Sequence, residues 1–456
     1  MTIATTTEPL RKELKALLSL GGPLIVNYLA IAGIHFSDTV MAGRLGANEL
    51  AAVAVGGSVW MLGFMFSLGI MMSISPIVSR YFGSGQPELI GRYTRQGLWL
   101  SQIIALSIVT LAHLYVRPVL SHIGIDIEFR ETTIGYVEAI MFGMPAISAF
   151  LVFRFTTEGI GATRPIMYAS LFSLVSNVFG NWVLMYGNLG APALGAVGCG
   201  YSSAITMWLM AIGMGTYIYR NPRYRPLGIF TNFGFVRWPI IREMLSLGLP
   251  ITVTITAETG LFSAVAILTG TIGAQVAAAH QIAINFAATM FMIPLGISSA
   301  TTVRVGHELG AGNLRAAGFR GWTGIATCGV FMLCSAVFLL AFRDLVVGLY
   351  TNDTSVREIA ISLLLMAAFF QVADGVQIGA AAALRGYKDT RLPMVINTFA
   401  YWVLAFPMAY LAAVTYRLPP RYIWGGFVIG LSVAAVLLSL RFRQVVRRAL
   451  NEPHWS

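Results

Sequence analysis

Three carboxylates stand inside long apolar runs of the sequence: Asp38, Glu258 and Asp374. An ionised acid at the centre of a membrane helix costs about 2.5–3.5 kcal/mol on insertion scales, so such residues are rare and usually functional. A single buried acid can be held by a structural hydrogen bond. Three acids with no matched Lys or Arg in the apolar runs favour a shared role in binding a cation or a proton.

Polar side chains accompany these acids at helical spacings. The companions within three turns of an acid are Asn27, Thr254, Gln371 and Gln377. Further polar residues at four-residue intervals are Ser173, Asn177 and Asn181, and the pair Gln281 and Asn285. Oxygen atoms of this kind replace water around a small hard cation or a carried proton. Amide pairs also join neighbouring membrane helices, so both interpretations stay open for Gln281 and Asn285.

The elements that position these residues are predicted to be membrane-spanning helices. Hydrophobic residues make up 57% of the 456 and charged residues 11%, against about 25% charged in a soluble domain. Twelve apolar runs of about 20 residues or more predict an all-α polytopic membrane protein. The polar first 14 residues lack a cleavage-type site, so we expect the first helix to be retained. The three cysteines are scattered and predict neither a disulfide framework nor a metal site.

The chain repeats itself at an offset of 227 residues. At least fifteen positions match without a gap, among them Pro23 with Pro250 and Leu68-Gly69-Ile70 with Leu295-Gly296-Ile297. Kept glycines and prolines fix backbone conformation, so they indicate a duplicated structure. The repeat predicts an amino-terminal lobe, 1–230, with six spans and a carboxyl-terminal lobe, 231–456, with six more. Pro23 and Pro250 are predicted to bend the first helix of each lobe and to act as hinges.

The net charge is +11, and the Lys and Arg residues that cause it lie in the loops rather than on one basic surface. The two termini and the even-numbered connections hold 23 of the 30 Lys and Arg residues, which predicts cytoplasmic termini. Four arginines near the carboxyl terminus are expected to contact anionic lipids, and no nucleic-acid binding is predicted. They are Arg441, Arg443, Arg447 and Arg448. Six spans per half make the repeats parallel, with a shared cavity expected between them near the midplane.

The polar residues do not follow the repeat. Asp38 corresponds to Val265, Glu258 to Ile31 and Gln281 to Ala54. The two halves are therefore predicted to share a helical scaffold and to carry different polar side chains with different roles.

Several longer motifs resemble those of the MATE multidrug exporters, with the NorM-type branch most similar. They are the segments 36–43, 188–200, 278–285, 304–310 and 384–389. The similarity extends over essentially the whole chain. It implies two six-helix lobes in a V-shaped fold in a bacterial inner membrane, and a monomer is expected.

The resemblance also implies a mechanism, in which cationic amphipathic drugs are exchanged for Na⁺ or H⁺ by a rocker-switch movement. The family's coupling acids match Asp38 in the first lobe and Glu258 and Asp374 in the second. The first-lobe asparagines match Asn177 and Asn181, so Na⁺ is expected either with these and Asp38 or with the second-lobe acids. Gln281, Asn285 and Gln371 are further candidate ligands. Some NorM-type members carry a tyrosine where this chain has Phe370.

Two other functions are weighed against export. A lipid-linked precursor flippase of the same superfamily predicts a cavity lined by cations, whereas the deep charges here are acidic. An integral membrane transferase needs clustered Asp or a His/Glu constellation, and the sequence has neither. The chain also lacks a G-x-x-x-x-G-K-[ST] loop, so ATP is not expected to drive it. No enzyme activity and no cofactor are predicted, and the choice between Na⁺ and H⁺ stays open.

Overall fold

The computed structural model describes residues 7–122, 127–231 and 234–452. Part of the polar amino-terminal segment, residues 1–6, lies outside them. The first half of the chain forms α1 (Thr7–Leu45), α2 (Ala47–Met71), α3 (Ile74–Gly83), α4 (Pro87–His122), α5 (Ile127–Met141), α6 (Met144–Gly159), α7 (Arg164–Leu184) and α8 (Gly195–Arg220). The second half forms α9 (Trp238–Ile272), α10 (Ala274–Gly310), α11 (Leu314–Tyr350), α12 (Thr354–Gly386), α13 (Arg391–Thr398), α14 (Phe406–Tyr410) and α15 (Pro420–Asn451). Short 3-10 helices lie at Asn188–Gly190 and Pro222–Leu227, and π-helical turns at Phe399–Ala405 and Leu411–Thr415.

The all-helical membrane fold is confirmed, with no strand in the described ranges. Among the described residues, eleven helices are long and apolar enough to cross a membrane, or twelve when one bent pair counts as a span. That pair, Phe129–Met141 with Met144–Gly159, bends by 42° in place of the predicted continuous fourth span. A turn at Gly143 and Pro145 at the second position of the next helix account for the break.

The helix bounds recur at the offset seen in the sequence. Helices begin 227 residues apart at Ala47 and Ala274, Pro87 and Leu314, Ile127 and Thr354, and Arg164 and Arg391. Backbone conformation recurs too: Gly85 has φ 68° and Gly312 φ 78°. Lys388 has φ 60° at the position equivalent to Gly161, φ 78°. A non-glycine residue in this region costs about 1–3 kcal/mol, so the repeat keeps the turn even where the glycine is lost.

The chain divides into two compact units, and each unit includes a helix segment from the other half of the sequence. The amino-terminal unit is Val26–Thr252, and the carboxyl-terminal unit contains the chain through Ile25 and from Val253 onward. The two division points are equivalent in the repeat. They lie within α1 and α9, each two residues after Pro23 or Pro250. The lobe boundary at residue 230 stays a prediction, because compactness alone does not define the parts that move.

Glycine contacts place the first part of each dividing helix in its unit. In the amino-terminal unit, a Cβ atom at Gly69 would lie 2.6 Å from the Cα of Thr252. The equivalent glycine of the carboxyl-terminal unit, Gly296, lies against Ile25, where a Cβ atom would be 2.8 Å from the backbone nitrogen. Small residues permit such close approach of membrane helices. The repeated Leu-Gly-Ile motif therefore marks two equivalent helix crossings.

Polar contacts hold the beginnings of the same two helices. In the carboxyl-terminal unit the buried Glu13 accepts a 2.9 Å hydrogen bond from Arg304 Nε and lies 3.3 Å from Arg320 Nε. In the amino-terminal unit, Glu243 of α9 accepts a hydrogen bond from the hydroxyl of Tyr93. Tyr93 is the repeat equivalent of Arg320. Each helix beginning is thus fixed to its unit by a carboxylate.

The segment between α8 and α9 is packed along α4. Gln96 donates a 3.1 Å hydrogen bond to the carbonyl of Phe235 and accepts one of 2.6 Å from the backbone nitrogen of Arg237. Arg95 also donates to the carbonyl of Gly228. These contacts fix the start of α9 in the amino-terminal unit.

Candidate functional site

In the amino-terminal unit, the structure brings together Asp38 of α1 and the two asparagines of α7. Asn181 Nδ2 donates a hydrogen bond of 2.6 Å to Asp38 Oδ1 and lies 3.3 Å from the Oδ1 of Asn177. All three side chains are buried, Asp38 at 7% exposure. The predicted grouping of one carboxylate with two amides is therefore present, while its role in cation coupling stays a prediction.

The close packing of α1 on α7 positions this cluster. A Cβ atom at Gly33 would lie 3.3 Å from the side chain of Leu174, so the two helices lie close there. On either side of that point, Ser170 donates a 2.6 Å hydrogen bond to Asn27 Oδ1, and the Tyr186 hydroxyl donates one of 2.9 Å to the carbonyl of Met41. Polar contacts thus hold α1 and α7 in one register around Asp38.

Sequence reasoning missed the contribution of α8 to the cluster. Ser203 accepts a 3.1 Å hydrogen bond from Asn177 Nδ2, and the Cys199 thiol lies within hydrogen-bonding reach of Asp38. Both residues are buried. The four-residue spacing of Cys199 and Ser203 could have indicated this contribution from the sequence, because it places a thiol and a hydroxyl on one helical face.

The carboxyl-terminal unit contains a second buried polar cluster, on α12. Asp374 is 3% exposed, and Gln371 and Gln377 are also buried. Within the described part of the chain, the side-chain atoms Asp374 Oδ1, Gln371 Nε2 and Gln377 Oε1 have no hydrogen-bond partner. Glu258 of α9 is partly buried and close enough to Asp374 for electrostatic interaction. The predicted second-lobe acids therefore lie together, with polar atoms available for a ligand.

A positive charge just beyond the apolar run also acts on this cluster. The sequence shows no Lys or Arg inside the apolar runs to match the acids, and Arg385 of α12 interacts electrostatically with Glu258. Arg385 lies at the end of α12, eleven residues beyond Asp374, and was counted with the loop. Arginine's long side chain can reach along a helix from its end, which sequence position alone does not show.

Phe370 lacks the hydroxyl of the tyrosine that some NorM-type members carry there, but another tyrosine lies in this cluster. Phe370 is buried among aromatic rings, with centroid distances of 6.0 Å to both Phe262 and Trp424. Tyr401, fully buried in the first π-helical segment, accepts a hydrogen bond from Gln377 Nε2 and interacts electrostatically with Glu258 and Asp374. The cluster therefore contains a phenolic oxygen from a residue that sequence reasoning did not select.

Gln281 and Asn285 are placed differently from the other candidates. Both are exposed on α10. Asn285 Oδ1 accepts a 3.0 Å hydrogen bond from the hydroxyl of Tyr350 in α11. This contact supports the helix-joining interpretation for Asn285, and no described contact links either residue to the buried acids.

Asp38 and Glu258 occupy different positions along equivalent helices. Asp38 is seven residues before the end of α1 at Leu45, and Glu258 is fourteen residues before the end of α9 at Ile272. Because these helix ends are equivalent in the repeat, the two units place their α1 and α9 acids two helical turns apart in register.

Comparison with known proteins agrees with this architecture. The MatE family model matches residues 23–183 and 250–411, once in each sequence half. The chain is 36% identical over 443 residues to the multidrug resistance protein MdtK of Edwardsiella ictaluri, covering 96% of each chain. It is 37% identical over 435 residues to the multidrug resistance protein NorM of Aliivibrio fischeri, covering 94% of each.

A solved structure shows the same fold at lower sequence identity. It is described as the outward-facing conformation of a multidrug resistance MATE family transporter of the MOP superfamily. The TM-score is 0.87 at 22% identity, over 99% of this chain and 100% of that chain. Because the family model matches more than half of the chain, and relatives above 35% identity align along nearly all of it, this protein is a member of the MatE family and the NorM-type resemblance is confirmed.

Proposed function

We propose that the protein is a secondary transporter that exports cationic amphipathic compounds across a bacterial inner membrane in exchange for Na⁺ or H⁺. The relatives named multidrug resistance proteins support the export of small drugs and dyes. The observation that carries the coupling proposal is the buried Asp38, hydrogen-bonded to Asn181 at 2.6 Å. A carboxylate held by amides inside a membrane helix can bind a proton or a small cation reversibly.

The proposed cycle uses the acids for both cargo and coupling ion. A cationic cargo is attracted to ionised carboxylates from the cytoplasm or the inner leaflet. Cation entry from outside then neutralises the acids and weakens cargo binding, because the electrostatic attraction in a low-dielectric site is lost. Movement of the two lobes between inward and outward access completes the exchange. Asp38 acts in the first lobe and Glu258 with Asp374 in the second.

The same proposal includes cytoplasmic termini, a monomer and contact with anionic lipid. Three of the four carboxyl-terminal arginines, Arg443, Arg447 and Arg448, are exposed on α15 and available to lipid head groups. Arg441 instead forms a 2.8 Å salt bridge with Asp389. The lipid contribution is therefore assigned to the last three arginines.

The test uses inside-out vesicles and a fluorescent cationic dye added outside. A proton gradient or a sodium gradient, high inside, is imposed separately without respiration. Uptake under one gradient supports export and identifies the coupling ion, whereas uptake under neither contradicts the proposal and favours the flippase. Asp38→Asn is expected to abolish uptake. The control Asp344→Asn changes an exposed carboxylate, 65% accessible, and is expected to leave uptake unchanged.

A further inference from the structure

Near its beginning, α4 carries polar and aromatic side chains on one helical face. Arg92, Arg95, Gln96 and Trp99 follow one another at the spacings that bring side chains to the same side of a helix. The segment between α8 and α9 packs along this face. Arg95 and Gln96 bond to its backbone, and Trp99 Nε1 donates a 3.3 Å hydrogen bond to the carbonyl of Gly234. The connecting segment is therefore held against α4 at several points.

These contacts bring three arginines together. Gln96 accepts its 2.6 Å hydrogen bond from the backbone nitrogen of Arg237, and both Arg92 and Arg237 are close enough to Arg95 for electrostatic interaction. None of the three arginines forms a salt bridge among the residues that the structure describes. Like charges repel one another, so a negative charge placed among them would stabilise this basic cluster of Arg92, Arg95 and Arg237.

The repeated scaffold does not require the charges of the basic cluster. The equivalent positions in the carboxyl-terminal unit are Leu10, Phe319 and Trp322. All three of these side chains are apolar, although the helices that carry them begin at equivalent places in the repeat. The cations therefore belong to the amino-terminal unit alone, and helix packing does not explain them.

Exposed aromatic side chains indicate that the basic cluster lies at a membrane surface. Helix α4 is long and apolar enough to span a membrane, and its two arginines lie within its first three turns. Beside them, Trp99 is 41% exposed, Trp238 65% and Phe235 94%. Tryptophan is enriched where a membrane meets water, and burying a ring the size of phenylalanine stabilises by about 1.5–3 kcal/mol. The cluster is therefore at the level of lipid head groups, with apolar rings next to it.

We propose that Arg92, Arg95 and Arg237 bind the phosphate group of an anionic phospholipid. Guanidinium N–H groups match phosphate oxygens in geometry and charge. A lipid is favoured over a soluble anion because the arginines and the exposed rings of Trp99, Trp238 and Phe235 lie together. That arrangement fits a ligand with a charged head and an apolar body. The site is separate from the buried acids and from the carboxyl-terminal arginines, and it does not depend on the coupling ion.

The test measures lipid binding without transport. Purified full-length protein in a neutral detergent is titrated with dioleoyl phosphatidylglycerol or with dioleoyl phosphatidylcholine, and Tm is followed. A ligand that binds the folded state raises Tm, so the wild type is expected to respond to phosphatidylglycerol at the lower concentration. Arg92→Gln and Arg237→Gln are each expected to raise the phosphatidylglycerol concentration at half effect about fivefold. The response to phosphatidylcholine should change much less.

Two further variants separate this site from general surface charge and from folding. Arg315→Gln removes an exposed arginine near the beginning of α11 and should leave the phosphatidylglycerol response unchanged. Arg237→Lys keeps the charge and should retain most of the response, which distinguishes loss of charge from damage to the fold.

Several outcomes would overturn the inference. They are equal responses of the wild type to the two lipids, glutamine variants of the cluster that titrate like the wild type, and an equal loss in Arg315→Gln. Stabilisation by inorganic phosphate or by a short oligonucleotide, without a response to phosphatidylglycerol, would also overturn it, because the ligand would then be a soluble anion.

Discussion

Asn181 of α7 donates a 2.6 Å hydrogen bond to Asp38 of α1, across 143 residues of sequence. A hydrogen bond to a charged group contributes about 1.5–3 kcal/mol, so it holds the carboxylate in one orientation. Asn181→Leu is expected to reduce gradient-driven dye uptake about tenfold or more while the protein still reaches the membrane. Uptake by vesicles with matched protein content measures this. Uptake equal to that of the wild type would remove Asn181 from the coupling cluster.

The buried Glu13 should contribute far more to stability than an exposed acid in a similar pair. Removing one partner of a buried ion pair costs about 3–5 kcal/mol, because the other charge stays buried. Glu13→Gln leaves Arg304 and Arg320 without their shared carboxylate, so a clear fall in Tm is expected. Arg117 and Glu131 form a 3.1 Å pair with side chains 60% and 44% exposed, and Glu131→Gln is the control. Exposed pairs contribute about 0–1 kcal/mol, so equal Tm losses in the two variants would contradict this.

The crossing at Gly69 should not tolerate a side chain. A Cβ atom there would lie 2.6 Å from the Cα of Thr252, so the backbone of α2 or α9 has to move. Overpacking typically costs about 1–3 kcal/mol, and Gly69→Ala is expected to lower Tm accordingly. Gly270→Ala is the control, because nothing lies within 4 Å of its Cβ position. A Gly69→Ala protein as stable as the control variant would show that the crossing is less tight than described.

An engineered disulfide can test which parts of the chain move together during transport. Gly21 of α1 lies beside α10, where its Cβ atom would be 3.5 Å from the Cα of Ile297. In a background with the three native cysteines replaced by Ala, Gly21→Cys with Ile297→Cys is expected to form a disulfide. We expect transport to persist after oxidation, because the beginning of α1 belongs to the carboxyl-terminal unit.

The same sample before oxidation is the control for that disulfide. Transport in the reduced protein that stops on oxidation, and returns with reductant, would contradict the expectation. It would mean that the moving lobes divide near residue 230, as the sequence repeat alone predicts.

The sequence could predict the spans and the acids, because both depend on local composition. Asp38, Asn177 and Asn181 were found from apolar runs and helical spacing. Tyr401 was missed because its partners in the cluster, Gln377 and Glu258, lie on other helices and far away in the sequence. The exchange of helix segments at Ile25 and Thr252 could not be predicted either. A repeat shows which positions are equivalent but not which copy each helix packs against.

The position of Glu258 within α9 has an electrical consequence for the proposed transport. This acid lies fourteen residues before the end of the helix at Ile272. That length is about 21 Å along a helix, against a hydrocarbon thickness of about 30 Å. A full crossing changes the energy of a unit charge by about 2.3 kcal/mol per 100 mV, so a cation that reaches Glu258 along α9 from that end crosses roughly two thirds of the field, or about 1.6 kcal/mol per 100 mV. Occupancy of this buried acid should therefore depend on membrane voltage.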